Sequence, residues 1–125
     1  MTVASKTRLI ASFKDLRVWE EGVELVKAVY KFCEGLPKEE LYILVSQMKR
    51  AALSIPSNIA EGHSRNHRAE YRQSIYVAIG SLAELETQFC VAKELKLSTS
   101  EEIAPLLSRI DRLRAMLITL GRKLS

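Results

Sequence analysis

Little in this chain can interrupt a helix, and less can hold a metal. Only three prolines and five glycines occur in 125 residues, so long helices face few forced breaks. The two histidines, His63 and His67, follow Ala60 and Ser64 at the third position, so the Glu-x-x-His motif that binds paired metals in helical bundles is missing. Their spacing of four could clamp a metal on a helix, but Gly62 and Asn66 place them across a loop and a helix start instead. The two cysteines, Cys33 and Cys90, lack Cys-x-x-Cys spacing and read as small core residues. No phosphate-cradling Gly-x-x-x-x-Gly-Lys loop and no Gly-x-Ser-x-Gly elbow are present. No cofactor, no metal and no enzymatic activity are therefore expected. No uninterrupted apolar run approaches the ~20 residues of a membrane span. Residues 1–12 carry Lys6 and Arg8 and no sustained apolar block, unlike a secretory signal. The expectation is a cytoplasmic protein without a membrane partner.

What is present is one apolar rhythm, four times over. Leu16, Trp19, Val23, Val26, Tyr30 and Cys33 alternate spacings of 3 and 4. Tyr71, Ile75, Ala78, Leu82, Leu85, Phe89 and Ala92 do the same, as do Ile103, Leu106, Ile110, Leu113, Leu117, Leu120 and Leu124. A looser series runs Leu41, Leu44 or Val45, Met48, Ala52, Ile55 and Ile59. Such spacing puts the side chains on one helical face. With 47% apolar and 27% charged residues, the chain has the material for one ordinary folded domain.

The helix boundaries follow from capping chemistry. The first helix should begin near Ser12 or Asp15, which form a capping box, and end near Glu34, with Gly35 in the left-handed position after it. The second should run from Pro37 or Lys38 to about Glu61, kinked at Pro56 and ended by Gly62. A polar loop, 62–66, should lead to a third helix capped by Asn66 or Ser64 and reaching about Leu95. Gly80 inside it costs up to ~1 kcal/mol against alanine, for which a close helix–helix approach would be one reason. Thr99 with Glu102, or Ser98 with Glu101, should cap a fourth helix that runs almost to Ser125. Short connections make consecutive helices antiparallel. The expected fold is all-α, an up-down-up-down antiparallel four-helix bundle over 13–125, preceded by a flexible segment over 1–12.

Two further stripes bear on assembly. Val18, Leu25, Val29 and Phe32, with Gly22, give the first helix a second apolar face, more than one bundle needs. That surplus points to contact with another copy of the chain. On the second helix a polar seam runs Gln47, Arg50, Ser54, Ser57 and Glu61, with Asn58 beside it. Arg50 and Glu61 lie too far apart to pair on one straight helix, so each needs a partner such as Glu84 or Glu86. Such a seam reads as an oligomer interface or buried polar network, with a solvated ligand groove as the rival.

The net charge of +4 permits nucleic-acid binding without demanding it. Its distribution says more. Lys49, Arg50, Arg65, Arg68 and Arg72 form one candidate set for phosphate contacts, and Arg109, Arg112 and Arg114 a second. The bland reading of each set is a solvated helix face. The rival function is a protein-interaction scaffold that binds no nucleic acid.

Several blocks carry a family resemblance. Phe13-Lys14-Asp15-Leu16-Arg17-Val18-Trp19 resembles an opening motif. Ser46-Gln47-Met48-Lys49-Arg50-Ala51-Ala52, then Ser54-Ile55-Pro56-Ser57-Asn58-Ile59-Ala60-Glu61-Gly62, resembles a central signature. Gly80-Ser81-Leu82-Ala83-Glu84-Leu85-Glu86 resembles a third block. Together they resemble the four-helix-bundle proteins encoded in intervening sequences of 23S ribosomal RNA genes. The resemblance implies an up-down bundle that assembles as a homopentamer, and it implies no established biochemical activity. A related group, the accessory variability determinants of diversity-generating retroelements, is similar in fold and binds nucleic acid and a reverse transcriptase. Lys49 stands where the family more often has arginine, which keeps charge but not bidentate geometry.

Overall fold

A computed structural model describes residues 11–125, so the segment expected to be flexible lies, apart from Ala11 and Ser12, outside the described residues. Four helices dominate: α1 (Arg17–Cys33), α2 (Ser46–Ser64), α3 (Arg68–Glu94) and α4 (Ser100–Lys123). No strand occurs among the described residues.

The caps explain where the helices begin, and they correct three expectations. Ser12 and Asp15 do form a capping box, but it opens a single 3-10 turn, Phe13–Asp15. Leu16 is extended, and α1 starts only after it. Phe13 is thereby turned edge-on against Trp19, with ring centroids 5.4 Å apart. Thr99 and Glu102 form the box that opens α4. Gly35 is not left-handed. The end of α1 tightens instead through short-range bonds from Glu34 to Lys31 and from Gly35 to Phe32, which need no positive φ. The left-handed positions belong to Asn66 (φ 60°) and Lys96 (φ 61°). Asn66 therefore terminates α2 rather than capping α3, whose N-cap is His67 without a side-chain cap bond.

The second helical segment is less regular than its periodicity predicts. Lys38–Glu40 form a 3-10 turn and Leu41–Val45 a π turn before regular α2 begins. The helix then runs through Pro56 and past Gly62 to Ser64. Proline has no N–H, so the Ala52 carbonyl lacks its usual intrahelical donor there. Gly62 is buried inside the helix because α3 lies against it: a Cβ there would fall 2.7 Å from Ser74 Oγ. Gly80 is the reverse case. It was expected at a close approach, yet a Cβ there would meet nothing within 4 Å.

The core follows three of the four stripes. Met48, Ala52, Ile55 and Ile59 of α2 are buried, as are Ile75, Ala78, Leu82, Leu85, Phe89 and Ala92 of α3. So are Ile103, Leu106, Ile110, Leu113 and Leu117 of α4. Phe32 meets the Phe89 ring edge-to-face at 5.0 Å. On α1 the two stripes exchange roles. Val18, Gly22, Leu25, Val29 and Cys33 face the core, while Trp19, Val23 and Val26 are half-buried and Tyr30 is exposed. The two faces lie about a quarter-turn apart, and periodicity cannot rank them. Gly22 lies against Ile55 and Pro56, where a Cβ would make ordinary contact at 3.5 Å, so the packing of Val18, Leu25 and Val29 rather than the glycine sets the inner face. Cys90, expected in the core, is exposed.

Cross-helix neighbours pair in opposite directions, as an up-down-up-down order requires. Ser54 meets Ser81 and Gly62 meets Ser74 between α2 and α3. Glu86 meets Arg114 and Tyr76 meets Gly121 between α3 and α4. Gly22 meets Pro56 and Tyr30 meets Lys49 between α1 and α2. Glu21 meets Arg112 between α1 and α4. By length and mean hydropathy alone α3 could cross a membrane, but its apolar face supplies a large part of the bundle core.

Candidate nucleic-acid interface

The antiparallel order sets the start of α3 beside the end of α4. Arg68 donates a hydrogen bond to the Lys123 carbonyl across that junction. Arg72, one turn on, lies 5.2 Å above the Tyr76 ring. Tyr76 in turn rests on Gly121, where a Cβ would stand 3.1 Å from the ring. A side chain there would push the ring outward, so the glycine lets it sit low against α4. Lys123 also shares a groove with Arg17 at the start of α1. Arg17, Arg68, Arg72, Arg122 and Lys123 thus gather at one end of the bundle. Within the described residues none of these five is in an ion pair with a carboxylate.

The two basic sets read from the sequence separate in the structure. Lys49 and Arg65 stand at opposite ends of α2, about 24 Å apart along its axis. Lys49 covers the Tyr30 ring at 4.5 Å, and Arg50 is exposed. Arg65 is bracketed by Glu61 at 3.3 Å and Glu70 at 3.7 Å. In the second set, Arg112 binds Glu21 at 2.7 Å, and Arg114 binds both Glu86 and Asp111. Arg109 is exposed on the α1–α4 side, beside Phe32 and Pro105. Of the eight candidates, Arg68 and Arg72 join the basic end, while Arg65, Arg112 and Arg114 have their charge largely met within the chain. Arg17, Arg122 and Lys123 complete that end. Their proximity follows from up-down topology, which places the starts of odd helices beside the ends of even ones.

The polar seam of α2 divides in the same way. Ser54 Oγ donates to the Ala51 carbonyl at 2.7 Å and lies 2.6 Å from Ser81 Oγ, with which it shares a second bond. Asn58 Nδ2 donates to the Ser54 carbonyl at 2.7 Å. Of these half-buried groups, the Ser54–Ser81 pair ties α2 to α3, while the Asn58 bond stays within α2. Gln47, Arg50, Ser57 and Glu61 face outward instead. The expected pairing of Arg50 with Glu84 or Glu86 does not form. Glu86 lies on the α4 side of α3 and binds Arg114, while Glu84 accepts from Gln88 at 3.5 Å. Gln88 Oε1 is buried without a partner.

A hollow of about 480 Å³ adjoins the basic end where α2 gives way to α3. His63, Asn66, His67, Arg68 and Tyr71 line it. His63 and Tyr71 meet edge-to-face, with centroids 5.5 Å apart. Burial pushes the Tyr71 phenol above its usual range. At the other end, burial raises the Cys33 thiol, partly opposed by the Lys49 ammonium. A buried thiol held protonated is a poor nucleophile.

Fold and surface together define a class: a four-helix bundle with one basic end, and no cluster of metal-ligating side chains among the described residues. The chain belongs to the 23S rRNA-intervening sequence protein family, whose model matches residues 14–119. A search of curated proteins found no match.

Proposed function

We propose that the protein is a non-enzymatic, cytoplasmic homo-oligomer, a pentamer, that binds RNA or DNA through the basic end of its bundle. The observation that carries the binding reading is the junction at Arg68 and Lys123, which joins the cations of α3 and α4 into one patch. Guanidinium and ammonium groups free of carboxylates meet phosphates with little sequence preference and strong salt dependence. Several copies in one particle multiply a weak patch through avidity.

The assembly reading rests on α1 and α2. Val23, Tyr30 (38% exposed) and Leu53 (44% exposed) form apolar surface outside the core, on the side where α1 meets α2. This is the face opposite in role to the one the sequence marked as surplus.

A mobility assay across salt tests the binding. Both RNA and DNA should shift at low salt, and combined Arg68→Ala, Arg72→Ala and Lys123→Ala should flatten the salt dependence by roughly one slope unit per lost phosphate contact. No shift at low salt with either polymer overturns the proposal.

One observation favours a protein-interaction scaffold instead. Tyr42 (88% exposed) and Ile43 (65% exposed) stand on the π turn at the bundle's other end. A protein partner captured regardless of nuclease, and lost with Tyr42→Ser and Ile43→Ser, is the outcome that reading requires.

A further inference from the structure

The hollow between α2 and α3 is the part of the basic end where rings surround an open space. His63, His67 and Tyr71 contribute three of them, Asn66 an amide, and Arg68 a guanidinium. A patch that only counts phosphates needs cations and no rings. Flat rings around a space are what a nucleobase stacks on, since every base offers a π face.

The geometry leaves ring surface free. In the edge-to-face contact of His63 and Tyr71 only one of the two rings uses a face. His67 is exposed at the N-cap of α3, and its side chain makes no cap bond. Asn66 offers both a donor and an acceptor, which suits the edge of a base. Arg68 spends one donor on the Lys123 carbonyl and keeps others for an oxygen outside the hollow.

Resting on the nucleic-acid reading above, we propose that this hollow is a base pocket: it takes one unpaired nucleobase of a single strand, while Arg68 and Arg72 hold the adjoining phosphates. A paired base inside a duplex keeps its faces stacked on its neighbours and cannot enter. The protein therefore prefers single strands to duplexes.

Fluorescence anisotropy with a labelled 12-nucleotide oligouridylate, and with a blunt RNA duplex of the same length, tests this on the full chain. The single strand should bind at least about fivefold tighter. His67→Ala, an exposed change, should weaken the single strand by about five- to tenfold and the duplex by less than about twofold. Arg72→Ala should weaken both. The imidazole resonances of His63 and His67 should shift with the oligouridylate and stay still with the duplex. Equal affinity for the two probes, an unaltered single-strand affinity in His67→Ala, or still imidazole resonances overturns the base pocket. In each of those cases binding persists, so the basic-end reading survives. Absence of binding by either probe at low salt overturns both.

Discussion

Gly62 and Ser74 lie so close that a methyl group on Gly62 would stand 2.7 Å from the Ser74 hydroxyl oxygen and nearer still to its Cβ. The hydroxyl could rotate away, but the Ser74 Cβ is fixed to the α3 backbone, so relief requires α2 and α3 to move apart. Gly62→Ala should therefore destabilise the fold by ~1–3 kcal/mol, despite alanine's better helix propensity. Adding Ser74→Gly should recover part of that loss. Urea unfolding midpoints at one fixed protein concentration measure both effects, since self-association would otherwise shift them.

Gly80 should behave in the opposite way. It lies in the middle of α3, with open space where a Cβ would be. Gly80→Ala should stabilise the bundle by ~0.5–1 kcal/mol, the propensity difference alone. A thermal melt showing destabilisation would mean that another surface covers this position.

The cap of α4 offers a cleaner test of local chemistry. Thr99 Oγ1 accepts from the Glu102 N–H at 3.1 Å, and Glu102 Oε1 accepts from the Thr99 N–H at 2.9 Å. Thr99→Ala should cost ~1 kcal/mol in chemical denaturation. Thr99→Gly should cost only a few tenths.

The same cap has a pH dependence of known sign. The Thr99 backbone N–H, then the Ser98 and Thr99 hydroxyls, hold the Glu102 carboxyl below its usual range. A carboxylate whose folded value is depressed stabilises the fold above its unfolded value, about 4.3, and loses that contribution as pH falls through the folded value. Protection of the amides at the start of α4, taken relative to their intrinsic exchange rates, should therefore fall as pH drops below that unfolded value. Glu102→Gln should remove that acid step and leave exchange in α2 unchanged.

Assembly can be tested without disturbing the core. Val23 and Leu53 lie outside the packed interior. Val23→Glu with Leu53→Glu should keep the helical circular-dichroism signal while reducing the mass measured by light scattering toward one chain. An unchanged mass would place the copy–copy contact elsewhere.

Legibility in the sequence varied with the kind of feature. The buried stripes of α3 and α4 could be read directly, because the alternation of 3 and 4 names one continuous row on each helix, although α3 also exposes Tyr76, Val77 and Val91. The Thr99–Glu102 box was equally clear, since capping depends on residues three apart. The faces of α1 were not, because Trp19, Val23 and Tyr30 keep the same rhythm as Val18, Leu25 and Val29. The close approach falls at Gly62 and not at Gly80 for a related reason: a glycine's purpose depends on what stands opposite, and for Gly62 that is Ser74. Basic residues were easy to count and hard to group. Whether an arginine remains open depends on carboxylates such as Glu21 and Glu86 on other helices.

The amino-acid order by itself determined that four amphipathic helices form and where α4 begins, because periodicity and capping act over three or four residues. It also contained the family signature. Tertiary packing alone decided which face of α1 turns inward, which glycine admits a neighbouring helix, and which cations meet at one end. Those outcomes depend on side chains tens of residues apart competing for the same space and the same opposite charges, and no local pattern ranks such competitors.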